Sequence, residues 1–194
     1  MGIRAKLNNI MSGHNKWSKI KHKKGATDGL RSRVFSKHSM FITMEVKKAG
    51  GDGTAAGVLA AVERAKKDSM PKDNIDRAIA KGAGASGAAL EEVIFEAFGP
   101  GGVGIIITAV TDNNNRTAPE IKHIFHKAGL ALGAPGSAMW AFTKTADGYV
   151  PQNQLELGDN DGEKLANLIE AIEEQDDVQE IFTTADSHEE EDTI

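Results

Sequence analysis

The sequence contains no cysteine. It therefore has no disulfide framework, thiol nucleophile, iron–sulfur cluster or cysteine-ligated zinc site. It also lacks any apolar run near the roughly 20 residues that span a bilayer. The first ten residues carry Arg4 and Lys6 without the apolar core of a secretory signal. These absences favour a protein without membrane contact in a reducing compartment, the cytoplasm, or an organelle if the source is eukaryotic.

Recognisable catalytic motifs are also missing. There is no nucleophile elbow, no phosphate-binding P-loop and no HExxH zinc motif. The composition is that of an ordinary globular protein, with 40% hydrophobic and 26% charged residues in a chain of 194. We therefore expect a non-enzymatic protein with one good core or two small ones, no cofactor and no small-molecule substrate.

Basic residues are concentrated in the first half of the chain and acidic residues in the second. Residues 1–82 hold 18 Lys and Arg against 7 Asp and Glu, whereas residues 83–194 hold 5 against 21. Such asymmetry indicates one region that faces a polyanion and another that faces solvent or a protein partner. We predict that the first half contacts nucleic acid, chiefly by neutralising phosphates. A solvated helix face is the alternative.

The first half is predicted to be helical. Residues 26–48 lack proline and carry apolar residues at helical spacing, and the glycine-rich segment 50–53 ends that helix. A second helix is predicted at 54–68. A third is predicted at 71–81, with Pro71 at its start and Gly82 as its stop.

The second half changes to the periodicity of strands. Strands are predicted at 93–98, 103–111, 137–143 and 178–183, and helices after residue 117 and over 162–174. The segment 99–102 is predicted to be a hairpin turn rather than a dinucleotide-binding loop, because a strand follows it where a helix is needed. Thr117 and Glu120 are predicted to form a capping box.

This order of elements predicts an α+β chain. An N-terminal three-helix domain is followed by a sandwich-type α/β domain, with helices on one face of a mostly antiparallel sheet. The predicted segments are an N-terminal extension at 1–10, a basic helical nucleic-acid-binding domain at 11–82, a linker at 83–87, an α+β domain at 88–185 and an acidic disordered tail at 186–194. Met11 is an alternative start to Met1.

The strongest candidate site is the run at residues 11–24, where cations alternate with one aromatic and two histidines. Lys and His neutralise phosphate, and an indole stacks on an unpaired base for roughly 1–3 kcal/mol. Trp17 has an alternative role as an anchor of a short helix on the bundle. The predicted nucleic-acid-binding residues are His14, Lys16, Trp17, Lys19, Lys21, His22, Lys23, Lys24, Arg31, Arg33 and Lys37.

Two other groups of residues are weaker candidates for a binding site. Asn113, Asn115 and Arg116 join a strand end to a helix start, where an anion can bind, although turn and cap chemistry explains them equally well. His123 and His126 are three residues apart, a spacing at which two imidazoles can share a metal. Since no third ligand is indicated nearby, we predict no metal site.

Several motifs in order resemble the YebC/PmpR family, which includes the mitochondrial translational activator of cytochrome oxidase subunit one. They cover most of residues 11–183. The matching segments are Gly13-His14-Asn15-Lys16-Trp17-Ser18-Lys19-Ile20-Lys21-His22-Lys23-Lys24, Met70-Pro71-Lys72-Asp73-Asn74-Ile75, Gly99-Pro100-Gly101-Gly102-Val103, Thr111-Asp112-Asn113-Asn114-Asn115-Arg116-Thr117, Gly136-Ser137-Ala138-Met139-Trp140, Val150-Pro151-Gln152-Asn153 and Asp176-Asp177-Val178-Gln179.

The resemblance implies a non-enzymatic regulator of gene expression, usually described as a DNA-binding transcriptional regulator. Some members instead look like ribosome-associated factors that help translation through difficult nascent sequences. The implied partners are duplex DNA or ribosomal or transfer RNA, with the ribosome as a further candidate. Family members carry a third, ferredoxin-like domain between the segments that match 142–144 and 150–153, and here that insertion is missing.

Overall fold

The computed structural model describes residues 28–84, 89–145 and 148–186. The helices in this part of the chain are α1 (Asp28–Lys48), α2 (Ala56–Lys67), α3 (Lys72–Ala83), α4 (Asn114–Lys127) and α5 (Asp159–Glu173). The strands are β1 (Glu91–Phe98), β2 (Gly104–Thr111), β3 (Phe142–Thr145), β4 (Gly148–Pro151) and β5 (Val178–Thr183). We call residues 28–84 the helical unit and residues 89–186 the sheet unit. None of the described helices is long and apolar enough to cross a membrane.

The helical unit packs α2 and α3 against the long helix α1. Its core is formed by Ile42, Val46, Val58, Ala61, Val62, Ala65, Met70, Ile75 and Ala78. The three predicted helices are confirmed, with ends displaced by at most two residues. The role given to Gly82 was wrong, because α3 continues to Ala83 and buries Gly82 against α1. A side chain at Gly82 would collide with the Thr43 carbonyl oxygen and with Val46, so glycine is needed here for close packing.

The sheet unit is built on three antiparallel strands in the order β1-β2-β5. The turn between β1 and β2 places Phe98 opposite Gly104, which confirms the hairpin predicted at 99–102. One face of the sheet presents Ile105 and Ile107 to α4 and α5, which contribute Phe125 and Leu165 to the same core. The α+β class, with helices on one face of an antiparallel sheet, is therefore confirmed.

The opposite face of the sheet is covered by two elements. The hairpin of β3 and β4 forms a small second core, in which Phe142 and Tyr149 pack against Ile106 and Phe182. The rings of Tyr149 and Phe182 meet edge to face, with centroids 5.4 Å apart. The helical unit lies beside this hairpin, with α1 against β2 and β5, so the two units share a seam on this face.

The strand predicted at 137–143 was wrong over most of its length. Residues 136–138 form a turn, Met139–Ala141 a 3-10 helix, and β3 begins only at Phe142. The physical cause is Glu96, whose buried carboxylate accepts hydrogen bonds from the backbone N–H groups of Gly136, Ala138 and Met139, at 2.6–2.8 Å. Those groups point to one carboxylate instead of a neighbouring strand, so the segment bends.

The predicted capping box at Thr117 was also wrong. Helix α4 begins at Asn114, which places Thr117 inside the helix. The N-cap residue, Asn113, makes no capping hydrogen bond with its side chain. Thr117 is buried instead, and its hydroxyl lies 2.5 Å from Asp177 Oδ2 and 2.8 Å from Thr111 Oγ1. The threonine therefore satisfies a buried carboxylate rather than a helix end.

Candidate nucleic-acid interface

Most of the predicted interface lies outside the described residues. This holds for His14, Lys16, Trp17, Lys19, Lys21, His22, Lys23 and Lys24. Residues 1–27 hold seven Lys and Arg and no Asp or Glu. They lead directly into α1, which begins at Asp28. We call this segment the basic arm.

Arg31 and Arg33 lie in the first two turns of α1, next to the basic arm. Arg31 is exposed and Arg33 is half-buried. Neither guanidinium has an ion-pair partner among the residues that the structure describes. Both charges thus lie at the start of the helical unit, directly after the basic arm in the sequence.

Lys37 is held differently. Its Nζ donates a 3.0 Å hydrogen bond to the backbone carbonyl of Glu173, the last residue of α5. Carbonyls at a helix C-terminus lack a partner within the helix and carry partial negative charge, so an ammonium is favourable there. Lys37 thus joins the helical unit to the sheet unit, and a phosphate at Lys37 would compete with this contact.

A groove of about 400 Å³ lies along the seam between the two units. Arg64 of α2 lines it, with its guanidinium 3.7 Å from Glu180 of β5 and 5.2 Å from the ring centroid of Phe41. His38 Nε2 lies 2.5 Å from Asp68 Oδ2 on the same side. Arg64 could not be singled out from the sequence, because a basic residue in the last turn of a helix carries no signal for a contact across units.

The second predicted anion site, at Asn113, Asn115 and Arg116, surrounds the start of α4. Arg116 Nη2 lies 2.7 Å from Asp177 Oδ2 and 3.2 Å from Asp112 Oδ1. Its guanidinium therefore already faces two carboxylates, and the hydrogen bond to Asp177 raises the pKa of Arg116. Anion binding at this helix end stays a prediction, and any anion would compete with both carboxylates.

Burial alone would raise the pKa of Asp177, but its hydrogen bonds outweigh that effect. Thr117 and Arg116 contribute most, Thr111 adds a further hydrogen bond, and the pKa of Asp177 falls below its usual value. The charged carboxylate ties the start of β5 to the start of α4. The arrangement fits a structural role.

His123 and His126 are exposed on α4. Among the described residues, no group of three or more His, Cys, Asp and Glu side chains is placed to hold a metal ion. The structure of this part of the chain thus offers no third ligand for the two imidazoles.

Comparison with known proteins decides the family. The family model of the TACO1/YebC protein N-terminal domain matches residues 15–85, and that of the TACO1/YebC second and third domain matches residues 90–147. The chain belongs to the TACO1/YebC family. A relative from Desulfatibacillum aliphaticivorans, named a probable transcriptional regulatory protein, is 43% identical over 91% of this chain and 76% of its own length.

Two further TACO1/YebC comparisons extend over nearly the whole chain. A probable transcriptional regulatory protein of Thermoanaerobacter pseudethanolicus is 36% identical, over 94% of this chain and all of the relative. The crystal structure of a conserved hypothetical protein, Aq1575 of Aquifex aeolicus, superposes with a TM-score of 0.77 at 28% identity, over 90% of this chain and 98% of the other.

The relatives also carry residues that this chain lacks. The alignment with the T. pseudethanolicus protein extends over 245 positions, more than the 194 residues of this chain. The match to the second-and-third-domain model ends at residue 147. In this chain only residues 146 and 147 connect β3 to β4. Both observations agree with the predicted absence of the family's inserted third domain.

Proposed function

We propose that this protein is a non-enzymatic, nucleic-acid-binding regulator of gene expression. The observation that carries the proposal is the basic arm, with seven Lys and Arg and no Asp or Glu over 27 residues, followed by Arg31 and Arg33 at the start of α1. Such a segment neutralises phosphates and releases their counterions, which gives strong but salt-dependent binding. The names of its relatives support a regulatory role.

Duplex DNA is the first candidate target, because the relatives are named as transcriptional regulators. The composition of the arm favours weak sequence readout. Five of its seven basic residues lie at 16–24 and are all lysine, and lysine acts mainly as a point charge, whereas bidentate base recognition uses Arg, Asn or Gln. We therefore place most of the affinity in phosphate contacts.

RNA is the second candidate target, and the same lysines favour it. Point charges on a glycine-punctuated segment suit the irregular backbone of ribosomal or transfer RNA. A translation factor of this kind would work on the ribosome, in the cytoplasm or in an organelle, with its acidic second half facing solvent or a protein. DNA and RNA are thus alternative targets of the same arm, and an experiment distinguishes between them.

The test of nucleic-acid binding is a salt titration. Binding of the full chain to a labelled duplex and to a labelled RNA hairpin is measured between about 50 and 200 mM salt. We expect the triple variant K21E/K23E/K24E to bind more weakly. The slope of log affinity against log salt should decrease in magnitude by about 2–3, since each lost duplex contact removes about 0.9.

The matched control reverses three exposed lysines of the sheet unit. The variant K122E/K127E/K164E makes the same change in net charge and should leave the slope unchanged, because these residues lie in the acidic half. Equal slopes for the wild type and K21E/K23E/K24E would overturn the role of the arm. An equal loss of slope in both triple variants would show that net charge, and not the arm, determines the binding.

Gradient sedimentation of the tagged protein from a lysate separates the two targets. Co-migration with ribosomes that survives DNase, and follows one subunit after dissociation, assigns the protein to translation. Migration with DNase-sensitive material assigns it to duplex DNA, and its binding sites are then mapped.

A further inference from the structure

One face of α1 carries basic side chains from the start of the helix to the seam. Arg33 and Lys37 are four residues apart, so they are neighbours on the helix surface. Phe41 follows four residues later, and the Arg64 guanidinium of α2 lies over its ring, 5.2 Å from the centroid. Lys37 and Arg64 both line the groove at the seam. These cations therefore form a row that begins beside the basic arm and continues along α1 into the seam.

Polar contacts, rather than a shared apolar core, join the two units at the seam. Each of the three buried apolar clusters among the described residues draws its side chains from one unit only. Lys37 donates to the Glu173 carbonyl, and Arg64 lies 3.7 Å from Glu180, with side chains 36% and 35% exposed. An ion pair of this exposure contributes little to stability, and polar interfaces allow two domains to move relative to each other. A competing ligand can therefore displace these contacts.

Lys37 and Arg64 both face negative charge of the sheet unit. The Glu173 carbonyl lies at the C-terminus of α5, where the helix dipole places partial negative charge, and the Glu180 carboxylate carries a full charge. A phosphate bound at either cation would lie beside that negative charge and be repelled by it. Phosphate binding and the seam contact therefore compete at both cations.

We propose that Lys37 and Arg64 belong to the nucleic-acid interface and that the sheet unit occupies both side chains in the free protein. Nucleic acid that extends from the arm along α1 displaces the Glu173 carbonyl and the Glu180 carboxylate, and the seam opens. The sheet unit is thus an internal competitor that lowers the apparent affinity by the fraction of closed molecules. This inference rests on the proposed function, to which it adds Arg64 and a conformational change.

A double-mutant cycle of Arg64 and Glu180 tests the competition. Binding of the full chain to the labelled duplex and to the labelled RNA hairpin is measured at about 50 mM salt, where phosphate contacts are strong. Glu180→Gln should tighten binding about two- to fivefold, the range for a partly exposed ion pair, because Arg64 loses its carboxylate partner. In the Arg64→Gln background the same change should leave the affinity unaltered, because no guanidinium remains to be released.

The matched control is Glu163→Gln, which removes one exposed negative charge from the sheet unit. Glu163 lies on α5, ten residues or about 15 Å along the helix from Glu173 at the seam. Its affinity for both probes should equal that of the wild type. An E180Q variant that binds no more tightly than the wild type would overturn the proposal. Equal gains from E180Q with and without Arg64 would overturn it too, because general charge repulsion would then explain the gain.

A distance measurement across the seam separates this inference from the proposed function. Because the chain has no cysteine, spin labels attach only at Val34→Cys and Thr145→Cys, two exposed, uncharged residues that line the groove, one in each unit. The distance between the labels, measured by pulsed electron paramagnetic resonance, should lengthen when the duplex or the RNA hairpin binds. Binding at an unchanged distance would overturn the opening of the seam and leave the proposed function intact. No binding to either probe would overturn both.

Discussion

Glu96 shows how one buried side chain shapes a loop. It is 6% exposed, and burial alone would raise its pKa, yet hydrogen bonds from the backbone N–H groups of Gly136, Ala138 and Met139 hold the pKa below its usual value. The carboxylate therefore stays charged and gathers three N–H groups that would otherwise lack a partner. Asp177 likewise accepts hydrogen bonds, from the Thr117 hydroxyl and from the Arg116 guanidinium.

We expect Glu96→Gln to destabilise the protein by about 2–4 kcal/mol. The amide offers one acceptor oxygen in place of two, and its NH2 group faces N–H donors that are then buried without a partner. Chemical denaturation measures the free energy of unfolding. Glu92→Gln, on the same strand but exposed, is the control and should stay within about 0.5 kcal/mol of the wild type. Equal stability of both variants would contradict the anchoring role of Glu96.

Asp177→Asn should cost about 2–3 kcal/mol near neutral pH, because it weakens charge-assisted hydrogen bonds with Thr117 and Arg116. The pKa of Asp177 is lowered in the folded state. Its contribution is therefore complete above the unfolded pKa of about 3.9 and disappears as the pH falls through the lower, folded value. The melting temperature of the wild type should fall more steeply over this acidic range than that of D177N.

The control for this pH profile is Asp176→Asn, at the exposed neighbouring residue. It should follow the wild-type profile throughout the acid range. If D177N and the wild type lose stability in parallel, the charge of Asp177 does not stabilise the fold.

At the scale of elements, the helical unit depends on the close approach of α3 to α1. A Cβ built at Gly82 would lie 2.8 Å from the Thr43 carbonyl oxygen and 2.6 Å from Val46 Cβ. Backbone atoms cannot rotate away from such a contact as a flexible side chain can. The distance between these two helices is therefore set by the absence of a side chain.

Gly82→Ala should destabilise the protein by about 1–3 kcal/mol, although alanine is the better helix former by about 1 kcal/mol. The strain arises because α3 must move away from α1 to admit the methyl group. Gly84→Ala is the control, since its Cβ would meet only ordinary contacts at 3.6 Å. Thermal unfolding measures both variants, and a stabilised G82A would show that the helices separate without cost.

Elements whose signal is local were predictable from the sequence. The helices of the first half and the turn after Phe98 follow from periodicity and from glycine and proline, and the structure confirms them. The strand predicted at 137–143 failed because its conformation depends on Glu96, which is distant in sequence. The contact of Lys37 with Glu173 joins residues 136 positions apart, and no local sequence pattern predicts it.

On the scale of the whole molecule, positive and negative charge are separated along the chain. The isoelectric point is about 5.7, so near this pH the net charge vanishes while the basic arm and the acidic sheet unit keep opposite signs. Opposite charges on two segments of the chain allow copies to associate through ionic contacts. This association is ionic, and added salt should therefore weaken it.

We expect turbidity at low ionic strength to be greatest near pH 5.7, and added salt to clear it as the Debye length falls to about 10 Å at 0.1 M. The variant K21E/K23E/K24E should remain clear under the same conditions, because it removes positive charge from the basic arm. Light scattering against pH at two salt concentrations measures the effect. Turbidity that resists salt would contradict an ionic origin.

The short connection between β3 and β4 has a consequence for folding speed. Only residues 146 and 147 separate the two strands, so the chain returns to the sheet unit at once and the hairpin closes locally. The slower closure is that of β5 onto β2, which must span everything between them. Each doubling of an intervening flexible segment adds about 0.6 kcal/mol to such a closure. A chain that omits an inserted segment therefore shortens the loop that must close before β5 pairs with β2.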